Sequence, residues 1–198
     1  MNKHIKKRKH FFRFRLPALL ILVAVCAVWA NWWVHSSRQQ REAVGRLAEE
    51  GADVQYEFQL DGVDRPQLWP SWFVNWLGID YFADVRSVYL TNMQSTDALK
   101  DLNGLQYLYL DGINISNVDL HFLGTLDTLK TLYFIDSPVS DTGLAQFKGL
   151  NGLEVLYLDS SQITDKGARH LRNLKSLQVL ALHNTQITDS GVEFVKSL

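Results

Sequence analysis

The sequence predicts an α/β solenoid of short repeats that follows a single membrane-spanning helix. Leucines recur every 24 residues through the C-terminal half in two sets, Leu105, Leu129, Leu153 and Leu177, and Leu102, Leu126, Leu150, Leu174 and Leu198. A fixed period of roughly 20–29 residues is typical of stacked supersecondary units. An uncharged stretch near the N-terminus is long enough to cross a bilayer. These two observations define the predicted architecture.

The first 15 residues differ in charge from the rest of the chain. They contain seven of the 20 Lys and Arg and none of the 21 Asp and Glu, which leaves 13 basic and 21 acidic side chains in the remainder. Such asymmetry indicates that the two parts face different surroundings. We expect residues 1–15 to be a basic cytoplasmic tail.

Residues 16–34 form the predicted membrane segment. These 19 residues contain no Asp, Glu, Lys, Arg or His, and as a helix they span roughly 28 Å. Trp32 and Trp33 close the segment at the expected membrane–water interface. The basic flank predicts a single-pass signal anchor with a cytoplasmic N-terminus and an extracytoplasmic body. The alternative is a signal peptide cleaved near Ala30, which would release a soluble secreted protein.

Residues 36–84 are predicted to be a linker and an N-terminal cap. Ser36 and Ser37 are candidate caps for a separate helix that ends at Gly51. The next segment alternates apolar and polar residues, which predicts a strand that extends the repeat sheet; its apolar positions are Val54, Tyr56, Phe58 and Leu60.

A short helix with one aromatic face follows this strand. Trp69, Trp72, Phe73 and Trp76 have the spacing i, i+3, i+4, i+7, and the helix is expected to stop near Gly78. We expect this face to pack on the first repeat and complete the cap. The alternative is that some of the rings rest on the membrane surface, but the absence of lysine on the helix favours packing.

Residues 85–198 contain the repeats. Each unit has an LxxLxL core, which predicts a short strand with leucines pointing inward, and the strands are expected to form a parallel sheet on the concave side. The return segments VSDTG, ITDKG and ITDSG place a hydroxyl residue before an aspartate, as at a helix N-terminus. Short helices are therefore expected on the convex side. The aspartates are not expected to bind calcium, because one carboxylate per repeat supplies too few ligands.

The LxxLxL core, the ITDxG segments and the 24-residue step together resemble leucine-rich repeat proteins of the ribonuclease-inhibitor-like branch. The resemblance covers residues 85–198 and implies recognition of proteins or peptides. Similar repeats occur in membrane-anchored bacterial repeat proteins and in the substrate-binding arms of F-box proteins. Here a membrane segment precedes the repeats, and the sequence has no F-box-like module.

A column of tyrosines is the candidate binding surface. The residue between the last two leucines of successive LxxLxL cores is tyrosine in four units and Ala181 in the fifth. Tyrosine offers a large contact area and a polar tip, and is enriched at interfaces. The predicted protein-binding residues of the concave face are Tyr89, Tyr107, Tyr109, Asp111, Tyr133, Tyr157, Asp159 and His183. The alternative is that tyrosine only suits exposed strands, and the repeats act as a structural spacer of the cell envelope.

The sequence gives little support to catalysis, cofactors, metals or nucleic-acid binding. His121, His170 and His183 fall at three different repeat positions, and no phosphate loop, HExxH or GxSxG occurs. Cys26, the single cysteine, excludes an intrachain disulfide. The repeat region is acidic, unlike a nucleic-acid-binding surface. We therefore expect a non-enzyme without cofactors.

The last repeat is expected to present an apolar end face. The sequence reaches Leu198 without a polar capping segment, and solenoid ends normally need one. Self-association through this end is a possible further interaction.

Overall fold

The computed structural model describes residues 16–56, 59, 70–81, 83–91, 97–113, 119–137 and 139–196. Two compact units are distinguished, Met1–Ser36 and Ser37–Leu198, and each is considered by itself. The predicted basic tail, and the predicted positions Phe58, Leu60 and Trp69, lie outside the described residues.

Helix α1 (Leu16–Glu49) is longer than expected and runs without interruption through Ser36 and Ser37. The prediction of a separate helix capped by these serines is therefore wrong. A cap is needed only where backbone N–H groups lack partners, and here the preceding helical turn supplies the carbonyls. The predicted stop is confirmed. Gly51 adopts φ 83°, Ala52 N–H donates to the Leu47 carbonyl at 2.9 Å and Gly51 N–H to Ala48 at 3.1 Å. These are the two hydrogen bonds of a Schellman motif.

The sheet has six strands in sequence order, which confirms the predicted parallel arrangement of the repeats. Strands β2 to β6 are parallel, each paired with its sequence neighbour. The strands are β1 (Asp53–Tyr56), β2 (Val85–Thr91), β3 (Tyr107–Asp111), β4 (Thr131–Ile135), β5 (Val155–Leu158) and β6 (Val179–Ala181). The 24-residue step fixes the register, since Leu108 pairs with Leu132 and Leu132 with Leu156.

Strand β1 extends the sheet, as the alternating pattern predicts. It pairs antiparallel to β2, with Asp53 opposite Tyr89 and Gln55 opposite Ser87. It thereby covers the edge of β2 that would otherwise expose unpaired backbone groups. The last turns of α1 contribute Ala43 and Leu47 to the core, both fully buried.

The core lies on one face of the sheet, beneath the helical return segments. The leucines of the LxxLxL cores from Leu105 to Leu158 are all buried. Phe134, which replaces the last leucine of its core, stacks on Phe147 at a centroid distance of 5.9 Å. The helical layer over this core contains α3 (Asp141–Leu144), α4 (Asp165–Leu171) and α5 (Asp189–Val195), with 3-10 turns at Asp97–Asp101, Asp119–Thr125 and Ala145–Gly149. Before the repeats, the cap segment contains α2 (Ser71–Leu77) and a 3-10 turn at Ile79–Tyr81. Within the described repeats, this helical layer is thus α-helical only in the later ones. Asp119 stands where those repeats have Gly143, Gly167 and Gly191.

The Thr-Asp-x-Gly segments form joints between repeats. Thr164 Oγ1 accepts a hydrogen bond from Lys166 N–H at 3.2 Å, which confirms the predicted helix cap. The preceding repeat contributes Asp141, which accepts from Thr164 N–H at 2.8 Å and from Thr164 Oγ1 at 2.7 Å. Asp165 accepts the same two bonds from Thr188. Glycine is required at position 167, because a Cβ there would collide with the Asp141 carboxylate.

The aromatic face of α2 does not pack as expected. The helix ends at Gly78, as predicted, where φ is 98°. However, the side chains of Trp72 and Trp76 are 69% and 75% exposed. The half-buried residues of α2 are Phe73, Val74 and Leu77, so a helix of two turns buries this narrow side and leaves the tryptophans outside. The prediction that the whole aromatic face completes the cap is therefore wrong.

The last repeat has the apolar end predicted from the sequence. Val179 and Val192 are exposed large apolar side chains. Leu177, Leu180, Leu182, Ile187 and Val195 are partly buried against the core. Self-association through this end stays a prediction.

Candidate functional site

The four column tyrosines form a continuous stack across the sheet, which we call the tyrosine ladder (Tyr89, Tyr109, Tyr133 and Tyr157). The parallel register aligns them directly. Successive ring centroids are 5.9, 4.7 and 4.3 Å apart, and the angles between ring planes fall from 38° to 20° to 12°. Strands in a sheet lie about 4.8 Å apart, so identical flat side chains in one column can stack without distortion.

The ladder presents ring edges and hydroxyl groups to solvent, because the ring faces cover one another. Each stacked pair contributes about 0.5–1.5 kcal/mol beyond its buried area. Stacking also restricts the rings before any partner arrives, so contact with the ladder costs little further side-chain entropy. The arrangement is suited chemically to a rigid, amphipathic contact strip.

The hydroxyls of Tyr89, Tyr109 and Tyr133 stay protonated at neutral pH. Tyr89 Oη donates to Asp111 Oδ2 at 2.8 Å, and this bond to a carboxylate raises the pKa of Tyr89 above its ordinary value. Partial burial raises the pKa of Tyr109 and Tyr133, and the neighbouring tyrosine adds to both shifts. A tyrosine with a raised pKa remains protonated, so the Tyr109 hydroxyl can donate to a carbonyl or carboxylate oxygen of a partner. The Tyr89 proton is already donated to Asp111, and Tyr133 is hydrogen-bonded to Tyr157.

The cap strand and the first ladder residues enclose a recess of about 460 Å³. Its lining residues are Asp53, Gln55, Ser87, Tyr89, Tyr107 and Tyr109. Two of the predicted site residues outside the ladder therefore belong to this end: Tyr107 lines the recess, and Asp111 bonds Tyr89. Sequence reasoning missed Asp53 and Gln55. The alternation of β1 places both on the face opposite Val54, so the pairing of β1 with the sheet was the signal that could have identified them.

The other two predicted site residues meet at the opposite end of the ladder. Asp159 Oδ1 lies 3.0 Å from His183 Nδ1 and accepts the His183 backbone N–H at 3.1 Å. The His183 side chain is 77% exposed, and water reaches it freely. Among the residues that the structure describes, no group of three His, Cys, Asp or Glu side chains could hold a metal ion. This pair therefore contributes a polar end to the ladder.

The N-terminal part of α1 has the composition of a membrane-crossing or signal segment. In the described part of the chain, one helix is long and apolar enough to cross a bilayer, from Leu20 onward. Its apolar side chains are exposed, among them Leu20 at 61% and Trp29 at 62%. The rings of Trp29 and Trp33 stack at 6.3 Å. By length and composition, this helix could serve as an anchor or as a signal sequence.

Comparison with known proteins gives a family match for part of the repeats. The family model for the leucine rich repeat matches residues 127–187. No curated protein matches the sequence. Among solved structures, the chain is similar to internalin C2 of Listeria monocytogenes, with 23% identity and a TM-score of 0.44 over 58% of this chain and 59% of that one. The chain thus spans less than two thirds of that protein. The matched residues 127–187 contain Tyr133 and Tyr157 of the ladder.

Proposed function

We propose that the protein is a non-catalytic recognition module, displayed outside the cytoplasm on a single-pass N-terminal anchor. It binds a protein or peptide on the face of the repeat solenoid that carries the tyrosine ladder. The observation that supports this function is the ladder itself, because four rings stacked at 4.3–5.9 Å expose their edges and hydroxyls along one line. Interfaces derive much of their affinity from such rigid aromatic side chains.

The charge beside the ladder indicates what kind of partner fits. Asp53 lines the recess and Asp111 holds the Tyr89 hydroxyl, while no described lining residue is basic. A carboxylate next to tyrosine rings attracts Lys or Arg side chains, whose stems pack on the rings while the cation meets the acid. The proposed partner is therefore an extended segment with at least one basic side chain near the cap strand.

Display outside the cytoplasm is supported by the first unit. Its exposed apolar residues would be covered by lipid if residues 16–34 crossed the membrane. The seven basic residues of the first 15 favour a cytoplasmic N-terminus. Cleavage of a signal peptide near Ala30 remains the alternative, and it would give the same recognition module in soluble form.

Crosslinking in intact cells tests the recognition function. A photoreactive amino acid replaces Val179, which is exposed on a strand beside the ladder. The test variant changes Tyr109, Tyr133 and Tyr157 to Ser, and the matched control changes the exposed helical-layer residues Gln146, Arg172 and Asn173 to Ser. We expect the control to keep the crosslinked partners of the parent and the ladder variant to lose them.

The competing function is that of a structural spacer, in which the rings only stabilise the sheet. It predicts that a folded ladder variant retains the same crosslinked partners as the parent. Far-UV circular dichroism and thermal unfolding of both variants establish that they are folded. Retention of partners by a folded ladder variant would contradict the proposed recognition function.

A further inference from the structure

The two exposed tryptophans of α2 form an apolar patch that the proposed ligand face does not include. Trp72 and Trp76 lie on either side of half-buried Phe73, with ring centroids 5.4 and 6.2 Å from the Phe73 ring. Tryptophan is highly buried on average in folded proteins, so two such side chains with about 70% exposure on one short helix require an explanation.

Helix α2 is attached to the rest of its unit by several contacts. Phe73, Val74 and Leu77 form its half-buried side. Arg41, in the C-terminal part of α1, reaches the Leu77 carbonyl with its Nη1 at 3.5 Å. Beyond Gly78, Asp80 accepts a hydrogen bond from the Tyr56 hydroxyl at 2.8 Å. Burial and this bond to a carboxylate raise the pKa of Tyr56 far above its ordinary value. The patch is therefore held at Arg41 and at the cap strand.

The chain length between Arg41 and the predicted membrane segment limits how far α2 can lie from the bilayer. Arg41 follows Val34 by seven residues. Seven residues span about 10 Å as a helix and at most about 25 Å when fully extended. If residues 16–34 cross a membrane, the Arg41 backbone lies within this distance of its surface. The end of α2 is further away by at most the length of the Arg41 side chain and its 3.5 Å contact.

We infer that Trp72 and Trp76 insert into the headgroup region of the membrane that anchors the protein, as a second lipid contact next to the spanning helix. This inference rests on the anchoring proposed above. Indole rings favour the membrane–water interface, because the ring is largely apolar and its N–H remains hydrogen-bonded. The segment Ser71–Leu77 has no charged side chain, so the contact depends on apolar insertion and not on lipid charge.

A lipid surface explains the patch better than a protein partner. The short connection to the anchor keeps the patch near the bilayer continuously, so it needs no separate encounter. The same residue type closes the apolar segment, at Trp29, Trp32 and Trp33. With two contacts, the repeat domain would keep a fixed tilt relative to the membrane, and the tyrosine ladder would face a constant direction.

The full-length protein in phosphatidylcholine vesicles allows a direct test. Cys26 is changed to Ser, and single cysteines introduced at Asn75, Val23 or Asn173 carry an environment-sensitive fluorophore. Asn75 lies on α2 between the tryptophans and is exposed, so it reports on the patch with both rings intact. Quenching by nitroxide-labelled lipid is then measured at each position.

We expect the Asn75 label to be quenched several-fold more than the Asn173 label, and to lose this difference in a Trp72→Ser, Trp76→Ser background. Raising NaCl from about 0.1 to about 1 M should not reduce the quenching, because no charge contributes. The exposed tryptophans make few intramolecular contacts, so the double variant should unfold at the temperature of the parent.

The Val23 label separates the two proposals. If the Val23 label is quenched but the Asn75 label is quenched no more than the Asn173 label, the proposed anchor is supported and the insertion of Trp72 and Trp76 is refuted. If Val23 is not quenched, the anchoring itself is wrong and the inference falls with it. Equal quenching at Asn75 with and without the tryptophans would also refute the role assigned to these rings.

Discussion

Replacement of Asp141 by Asn tests the joint between repeats and gives a stability change that follows from its geometry. Asp141 accepts two hydrogen bonds from Thr164, at 2.8 and 2.7 Å. An asparagine can accept from the Thr164 N–H with its oxygen and donate to Thr164 Oγ1 with its NH2 group, but both bonds then lose the charge of the carboxylate. A hydrogen bond to a charged group is worth about 1.5–3 kcal/mol. Because the carboxylate is largely solvated, screening reduces the expected cost to about 1 kcal/mol.

The pH dependence of this cost can be derived from the pKa of Asp141. Burial alone would raise this pKa, but hydrogen bonds from Thr164 and Gly167 outweigh it, and the folded-state value lies below the ordinary 3.8. A lowered pKa means that the unfolded chain binds the proton more readily. The stabilisation is therefore fully present above about pH 4 and is lost as the pH falls through the lower folded-state value. Asparagine has no such titration.

Thermal unfolding followed by circular dichroism at pH 7 and at pH 3 measures both effects. We expect Asp141→Asn to lower Tm by about 3 °C at pH 7, and the difference from the parent to shrink at pH 3. Asp189 provides the matched control, since it begins α5 in the same way. No threonine of a following repeat donates to Asp189 in the described part of the chain, so Asp189→Asn should cost no more than about 0.5 kcal/mol. Equal decreases of Tm in the two variants would contradict the stabilisation assigned to the hydrogen bonds between Asp141 and Thr164.

Three further outcomes follow from the structure. Tyr133→Ser removes two stacked contacts and should cost about 1–3 kcal/mol in urea unfolding, with the fold retained; a loss of the native spectrum would contradict a stacking role. Gly167→Ala places a methyl group against the Asp141 carboxylate and should cost at least about 2 kcal/mol, whereas Gly152→Ala, which meets only ordinary contacts, should be nearly neutral. Intact mass of the membrane-extracted protein should correspond to an uncleaved chain; a mass that begins after Ala30 would identify a signal peptide.

The repeat period predicted those parts of the structure that depend on neighbouring strands. A 24-residue step determines which side chains stand side by side, so the spacing of Leu105, Leu129 and Leu153 predicts the column of Tyr109, Tyr133 and Tyr157. The parallel sheet and the caps at Ser140, Thr164 and Thr188 followed for the same reason. Each of these features depends on local geometry that every repeat shares.

The parts that sequence reasoning missed depend on packing between dissimilar segments. Asp53 joins the recess because β1 pairs antiparallel to β2, and no period relates these two strands. The bonds between Asp141 and Thr164 cross a repeat boundary, so a motif considered within one repeat indicates only a helix cap. Trp72 and Trp76 have the spacing of a buried face, yet burial depends on what stands opposite, and the half-buried side of α2 is Phe73, Val74 and Leu77.

The ends of the ladder differ, and this difference gives a bound partner a direction. At one end Tyr89 lies next to Asp53 and donates to Asp111, so a basic side chain fits there. At the other end the column continues to Ala181, which leaves the outer face of the Tyr157 ring without a tyrosine neighbour. A ligand with a cation at one end and a flat side chain roughly 19 Å away, the span of the four strand intervals from Tyr89 to Ala181, would satisfy both ends at once. A peptide with the reverse order should bind less tightly, and comparison of the two orders by titration calorimetry would test this polarity.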